Sequence, residues 1–86
     1  MAFLVLLTPA AERERRKLPH DVKPRVNQAL LSLETDPRPA GVTKMSGAHD
    51  RWRVRVGDYR VIYAIDDHAQ RVTVFRIAHR GEVYRD

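Results

Sequence analysis

The apolar positions of this 86-residue chain change their period along its length, and each period predicts a different element. Ala2 to Thr8 is a continuous apolar run containing Phe3 and Val5, short enough for a buried strand. Thr8-Pro9 supplies an N-cap followed by a proline at the first helical position, so a helix is expected through about Leu18. Its charge run (Glu12, Arg13, Glu14, Arg15, Arg16, Lys17) reads as a solvated face with pairs such as Glu12 with Arg16. Pro19 interrupts, and Asp21 is the expected cap of a second helix whose first turn tolerates Pro24. Val22, Val26, Leu30 and Leu33 then recur at helical spacing beside Ala29, which makes one buried stripe. Asp36-Pro37-Arg38-Pro39 ends it, so the two helices form a hairpin laid on one side of the molecule.

Residues 36–50 carry no periodic pattern and read as a loop, with Met45 as an inward anchor. From Arg51 the period switches to two, with basic and apolar residues alternating through Arg51-Trp52-Arg53-Val54-Arg55-Val56. Gly57-Asp58 is a two-residue hairpin turn, Tyr59 to Ile65 the returning arm, Asp66 to Gln70 the next turn, and Arg71 to His79 a further strand. The order strand, helix, helix, meander predicts a single α+β domain over residues 1–86. It has a small antiparallel sheet, an N-terminal strand, a helical hairpin on one face and a C-terminal three-stranded meander. The first strand belongs either at a sheet edge or between meander strands.

That hairpin has a definite register. With Gly57 and Asp58 as the loop, Val56 faces Tyr59, Arg55 faces Arg60, Arg53 faces Ile62 and Arg51 faces Ala64. Side chains alternate across a strand, so Arg51, Arg53, Arg55 and Arg60 share one face while Trp52, Val54 and Val56 pack under the helices. Arg55 opposite Arg60 is a like-charge pair, which a sequence shaped by stability alone avoids. Arg76 and Arg80, four apart on the next strand, share a face with each other and join the row only if the Asp66–Gln70 turn has the matching parity.

Composition sharpens this picture. Sixteen basic residues against eleven acidic ones give a net charge of +5, and thirteen of the sixteen are arginine. Arginine's planar fork grips phosphate or carboxylate oxygens bidentately, whereas lysine serves solubility equally well. The bland reading is a genome rich in arginine codons, or the ordinary polar face of a half-buried sheet. Four arginines on one face with no opposing acid favour a polyanion site, and nucleic acid is the obvious polyanion. Cysteine is absent, which removes thiolate metal sites and thiol nucleophiles. His20, His49, His68 and His79 are scattered without ligand spacing, so no metal and no cofactor are expected. The N-terminal apolar run lacks the basic flank of a signal peptide and no segment approaches a membrane span, so a cytoplasmic location with no membrane partner is expected.

Trp52-Arg-Val-Arg-Val-Gly-Asp-Tyr-Arg-Val-Ile-Tyr63, followed by Arg76-Ile-Ala-His-Arg-Gly-Glu-Val-Tyr84, resembles the RelE branch of the RelE/ParE toxin superfamily. Asp36-Pro37-Arg38, Lys44-Met45-Ser46-Gly47 and the strand–helix–helix start fit it as well, so the resemblance spans nearly the whole chain. It implies a toxin of a type II toxin–antitoxin pair: a ribosome-dependent, metal-independent endoribonuclease that cuts mRNA in the A site by 2′-hydroxyl attack. The implied partners are a RelB-like antitoxin, the ribosome and mRNA, with DNA reached only through the antitoxin complex. By position, Arg53 and Arg55 fall on the family's paired basic sites, Arg60 on the arginine after the third-strand tyrosine, and Arg80 and Tyr84 on the C-terminal arginine and tyrosine. These five are the expected catalytic set, with Arg51 and Arg76 as substrate-binding residues.

One departure stands out. The paired sites are often lysines in the family, and arginine is a poor general base. Arg53 and Arg55 therefore hold and polarise phosphate, which leaves His79, Glu82 or Tyr84 to accept the proton. Tyr84 also fits a plain aromatic packed on the sheet edge. Three other readings remain open: a ParE-like toxin that binds DNA gyrase without cutting RNA, an inactive toxin that retains only antitoxin binding, and a general RNA-binding module.

Overall fold

The structure is a computed structural model that describes residues 2–45 and 51–83. Along the described chain run β1 (Leu4–Leu7), α1 (Pro9–Arg16), α2 (Lys23–Ser32), β2 (Thr43–Lys44), β3 (Arg51–Val56), β4 (Tyr59–Asp66), β5 (Arg71–His79) and α3 (Arg80–Val83). The strands form one sheet in the order β1-β5-β4-β3-β2. The N-terminal strand therefore takes an edge, parallel to β5, and the remaining neighbours are antiparallel.

The first two helices, α1 and α2, start for local reasons. Thr8 is extended, and its side-chain oxygen accepts from Ala11 N–H at 3.2 Å, with Pro9 in the first turn as expected. Glu12 lies in the first turn and Arg13, Arg15 and Arg16 in the last, which matches the helix dipole at both ends. The helix ends at Arg16, two residues short of the expected Leu18. Asp21 does not cap α2. The chain is already helical at Val22, and the Pro19 carbonyl accepts from both Val22 and Lys23 N–H at 2.9 Å, so the backbone satisfies itself without an acid.

One face of the sheet is the core face. Val61, Tyr63, Ile65, Val72, Val74 and Ile77 are buried there against Ala11, Leu18, Val26, Leu30 and Leu33, with Trp52, Val54 and Val56 packed alongside. Full burial of an aliphatic side chain of this size is worth about 1.5–3 kcal/mol, so the α2 stripe anchors the helix to the sheet. Met45 anchors the other face instead, against Ile62 and Ala78.

The segment expected to be an unpatterned loop contains β2, two residues that extend the sheet past β3 with Thr43 opposite Arg53 and Lys44 opposite Trp52. A strand this short carries no readable alternation. Its approach is pinned by Tyr63, fully buried, whose hydroxyl donates to Pro37 O at 2.7 Å. Arg38 adds a bidentate pair to Asp67 at 3.1 and 2.8 Å and lies 5.1 Å from the Trp52 ring centroid.

Tyr63→Phe leaves the Pro37 carbonyl without its buried donor and should cost about 1–3 kcal/mol in urea denaturation. Burial pushes the Tyr63 hydroxyl up from 10.0 to about 12. Its raised value means the contribution to stability is complete below the ordinary tyrosine range and is lost as pH rises toward about 12. Absorbance titration of phenolate should show this tyrosine ionising last and together with unfolding.

Candidate active site

The β3–β4 ladder has the register that the turn implied, with Arg55 opposite Arg60, Arg53 opposite Ile62 and Arg51 opposite Ala64. Gly57 takes φ +60°, a conformation open to glycine at little cost, and this closes the two-residue turn. Arg51, Arg53, Arg55 and Arg60 accordingly project from the face opposite the core.

Three of the four converge. Arg53, Arg55 and Arg60 line a concavity of about 150 Å³ together with Gly41 and Thr43. Arg60 forms its floor: it sits on the central strand, is only 9% exposed, and donates from Nη1 to Tyr59 O at 3.3 Å. Ala78 is its partner on β5, and that small side chain leaves room for the guanidinium. Arg55 is exposed and is steadied by a bond from Nε to Gly57 O at 3.0 Å.

Carboxylates are elsewhere. Glu12 pairs with Arg15 at 2.7 Å and Arg16 at 3.3 Å, Asp67 with Arg38 at 2.8 Å, and Asp66 with Arg71 at 3.9 Å. The Arg15 guanidinium holds the Glu12 carboxyl down at about 2, and Arg38 lowers Asp67. Among the described residues no carboxylate pairs with Arg51, Arg55, Arg60 or Arg80. A largely desolvated cation without a counter-ion is costly, and an anionic ligand relieves that cost.

The outer members of the expected set separate from the cleft. Arg51 stacks on Phe75, its Cζ 3.7 Å from the ring centroid. Phe75 shares that face by alternation from Thr73, which pairs with Ala64, and the register shift between Ile62 and Tyr63 then sets Arg76 opposite Ile62. Arg76, expected to bind substrate, is engaged with α1: its Nε donates to Glu14 Oε2 at 3.0 Å, while Glu14 Oε1 accepts from Ile77 N–H at 2.7 Å. Where β1 ends, β5 presents an unfilled edge, and Glu14 closes it with Arg76 as counter-ion. Arg80 is not on the strand but opens α3, and its backbone N–H donates to Asp58 O at 2.8 Å, which holds it beside the hairpin turn. His79 pairs with Tyr59, with the two rings edge-on at 5.4 Å, on the face away from the arginines. Tyr84 and the Glu82 side chain lie outside the described residues.

Sequence reasoning missed Gly41 and Thr43, which wall the concavity from the segment that carries no period. It also missed Arg25 of α2, whose guanidinium nitrogens lie 3.4 Å from where a Cβ on Gly57 would sit. An arginine at the exposed edge of an amphipathic stripe gives no signal by itself.

Residues 5–84 match the family described as the ParE toxin of the type II toxin–antitoxin system, parDE, and the chain belongs to that family. Within the RelE/ParE superfamily it is a RelE-like toxin. It is 31% identical over 90 residues to Toxin RelG of Mycobacterium tuberculosis (strain ATCC 25618 / H37Rv), across 99% of each chain. Toxin RelE of the same organism is 33% identical over 84 residues, covering 96% of this chain and 87% of that one. The archaeal RelE–RelB complex from Pyrococcus horikoshii OT3 superposes with a TM-score of 0.83 at 28% identity, over 94% of this chain and 98% of that one. The isolated E. coli RelE toxin gives 0.80 at 26% identity, over 96% and 92%.

The two half-buried or buried arginines should respond to substitution with opposite signs. Arg60→Met replaces a desolvated charge by an apolar side chain of similar length and should leave stability unchanged or raise it by about 1 kcal/mol. Arg76→Met strips the counter-ion from Glu14 and should lower stability by about 1–2 kcal/mol. Urea midpoints of the two variants against the parent chain decide both.

Proposed function

We propose that this chain is the toxin of a type II pair that arrests translation by cutting mRNA on the ribosome, without a metal, in the cytoplasm. The observation that carries this reading is Arg60, buried on the central strand at the floor of a cleft that Arg53 and Arg55 also line. Such a cleft suits a phosphodiester passing through a pentacoordinate state.

In the proposed step the 2′-hydroxyl oxygen of the substrate attacks the adjacent phosphorus and loses its proton to a base. The bond from phosphorus to the 5′-oxygen breaks, leaving a 2′,3′-cyclic phosphate, and the departing oxygen takes up a proton as a 5′-hydroxyl. Arg60 would meet the charge that grows on the phosphoryl oxygens, from a position that needs no rearrangement. Arg53 and Arg55 would hold the same phosphate from β3, and Arg80 would approach from the hairpin end. Arginine keeps its proton, so these groups act by charge and orientation. Of the three candidate proton acceptors, His79 pairs with Tyr59 on the face away from the arginines, which favours Glu82 or Tyr84 for that role.

Partner binding follows from the same relatives. Solved neighbours include RelE–RelB complexes from Pyrococcus horikoshii OT3 and E. coli. We assign this chain a RelB-like antitoxin as its inhibitor, with DNA contact made through that complex. No helix among the described residues is long and apolar enough to cross a membrane.

Purified toxin added to ribosomes stalled on a defined message should yield new 5′-hydroxyl ends within the A-site codon. Arg60→Ala should slow single-turnover cleavage by about 10²–10³ while the circular dichroism spectrum stays that of the parent chain. Arg80→Ala should relieve growth arrest in the same way. Intact message together with inhibited DNA supercoiling would replace this reading by the gyrase-binding one.

A further inference from the structure

A second groove lies beyond the cleft, between α2 and the β3–β4 turn. It encloses about 530 Å³ and is lined by Pro24, Arg25, Gln28, Ser32, Arg55 and Gly57, among others. Arg25, Gln28 and Ser32 recur at three and four residues, so they form one polar stripe along α2 facing the turn. The groove's walls therefore carry cations and neutral hydrogen-bonding groups beside the apolar Pro24, Ala29 and Val56.

Two guanidinium groups meet at Gly57 from different elements. Arg25 reaches across from α2, its nitrogens 3.4 Å from the Cβ position of Gly57, while Arg55 Nε donates to the Gly57 carbonyl at 3.0 Å. Among the described residues neither has a carboxylate partner. The neighbouring acid, Asp58, is exposed and forms an ion pair with neither. Arg55 lines both this groove and the Arg60 cleft, so the two depressions share a wall. Cationic groups from separate elements, brought together without neutralising acids, are the signature of a bound polyanion.

We propose that this groove continues the substrate track: an RNA strand held at Arg60 passes Arg55 and places a further phosphate on Arg25. Arg25 is then a substrate-binding residue remote from the scissile bond, and Gln28 and Ser32 offer neutral contacts to sugar or base edges. The inference rests on the nuclease reading, because that reading puts a phosphodiester in the cleft. It goes beyond it by giving the strand a direction across the surface, from the open sheet face around the hairpin turn to α2.

The test uses fluorescein-labelled single-stranded RNA, 2′-O-methylated throughout so that 2′-hydroxyl attack is blocked, in a short strand of about three nucleotides and a longer one of about twelve. Fluorescence anisotropy over a salt series gives affinity and salt slope. Arg25→Ala should weaken the longer strand roughly tenfold at low salt and flatten the slope of log K against log salt by about 0.7, the loss of one phosphate contact. The short strand should be unaffected, and Arg25→Lys should restore most of the affinity. Arg60→Ala should weaken both lengths.

Unchanged binding of both lengths by Arg25→Ala, with Arg60→Ala still weakened, overturns the track and leaves the cleft assignment standing. Equal weakening of both lengths also overturns it, since Arg25 would then act on the cleft itself. Should Arg60→Ala bind both strands as tightly as the parent chain, the cleft reading fails and takes the track with it.

Discussion

A two-residue turn holds this molecule to one arrangement. Gly57 at φ +60° lets Val56 pair with Tyr59, and every later pair in the ladder follows from that one. Strand side chains alternate, so a slip of one residue would send Arg51, Arg53 and Arg55 under the helices and lift Trp52, Val54 and Val56 into water. Burying the apolar half of the alternation therefore puts the cationic half on the open face. Packing and site placement are one constraint, enforced by the hydrophobic face that α1 and α2 cover.

The same constraint explains what was legible in the sequence. Alternation through residues 51–56 and the Gly57-Asp58 turn are local signals, and they located the hairpin, its register and the face carrying four arginines. Thr8-Pro9 likewise marked the start of α1 through its own capping chemistry. Elements set by distant contacts were not legible. β2 is two residues long, and the segment before it is pinned by Tyr63 of β4, which holds Pro37, and by Asp67 in the turn after β4, which holds Arg38. Whether Arg76 joins the arginine row depends on the parity of the Asp66–Gln70 turn, which no local signal sets. The Arg76 side chain goes to Glu14, 62 residues away in sequence, and only tertiary structure reveals that pairing. Arg25 comes from a different element altogether, and its place beside Gly57 depends on how α2 crosses the sheet.

Acids sort the arginines into two groups. Arg15, Arg16, Arg38, Arg71 and Arg76 each have a carboxylate within 4.0 Å, and two of these pairs join distant parts of the chain. Arg38 to Asp67 ties the segment before β2 to the β4–β5 turn, and Arg76 to Glu14 ties α1 to the edge of β5. The Arg38–Asp67 pair is exposed and contributes little in itself, so its main effect is to fix geometry, whereas the Arg76–Glu14 pair is half-buried. At Arg55, Arg60 and Arg25 the described structure supplies no acid, although the chain carries eleven acidic residues. A solvated arginine without a partner costs almost nothing. Arg60 is different, because burial removes the water that would otherwise screen it.

That difference connects stability to ligand binding. A guanidinium held on a central strand, flanked by Arg55 on one side and Ala78 on the other, carries a desolvation cost that no described carboxylate offsets. An anion that enters the cleft would offset part of this desolvation cost, and its affinity would include that gain. A phosphodiester and an acidic segment of an inhibitor protein would both draw on it, which gives a toxin and its antitoxin a common physical handle. They would differ in what else they touch. A nucleic acid strand repeats its charge at regular intervals and can engage Arg55 and Arg25 in succession, whereas a single carboxylate answers Arg60 alone. On the proposed reading, the buried arginine would supply attraction for anions in general, and selectivity for a strand would come from how the cations are spaced around the turn.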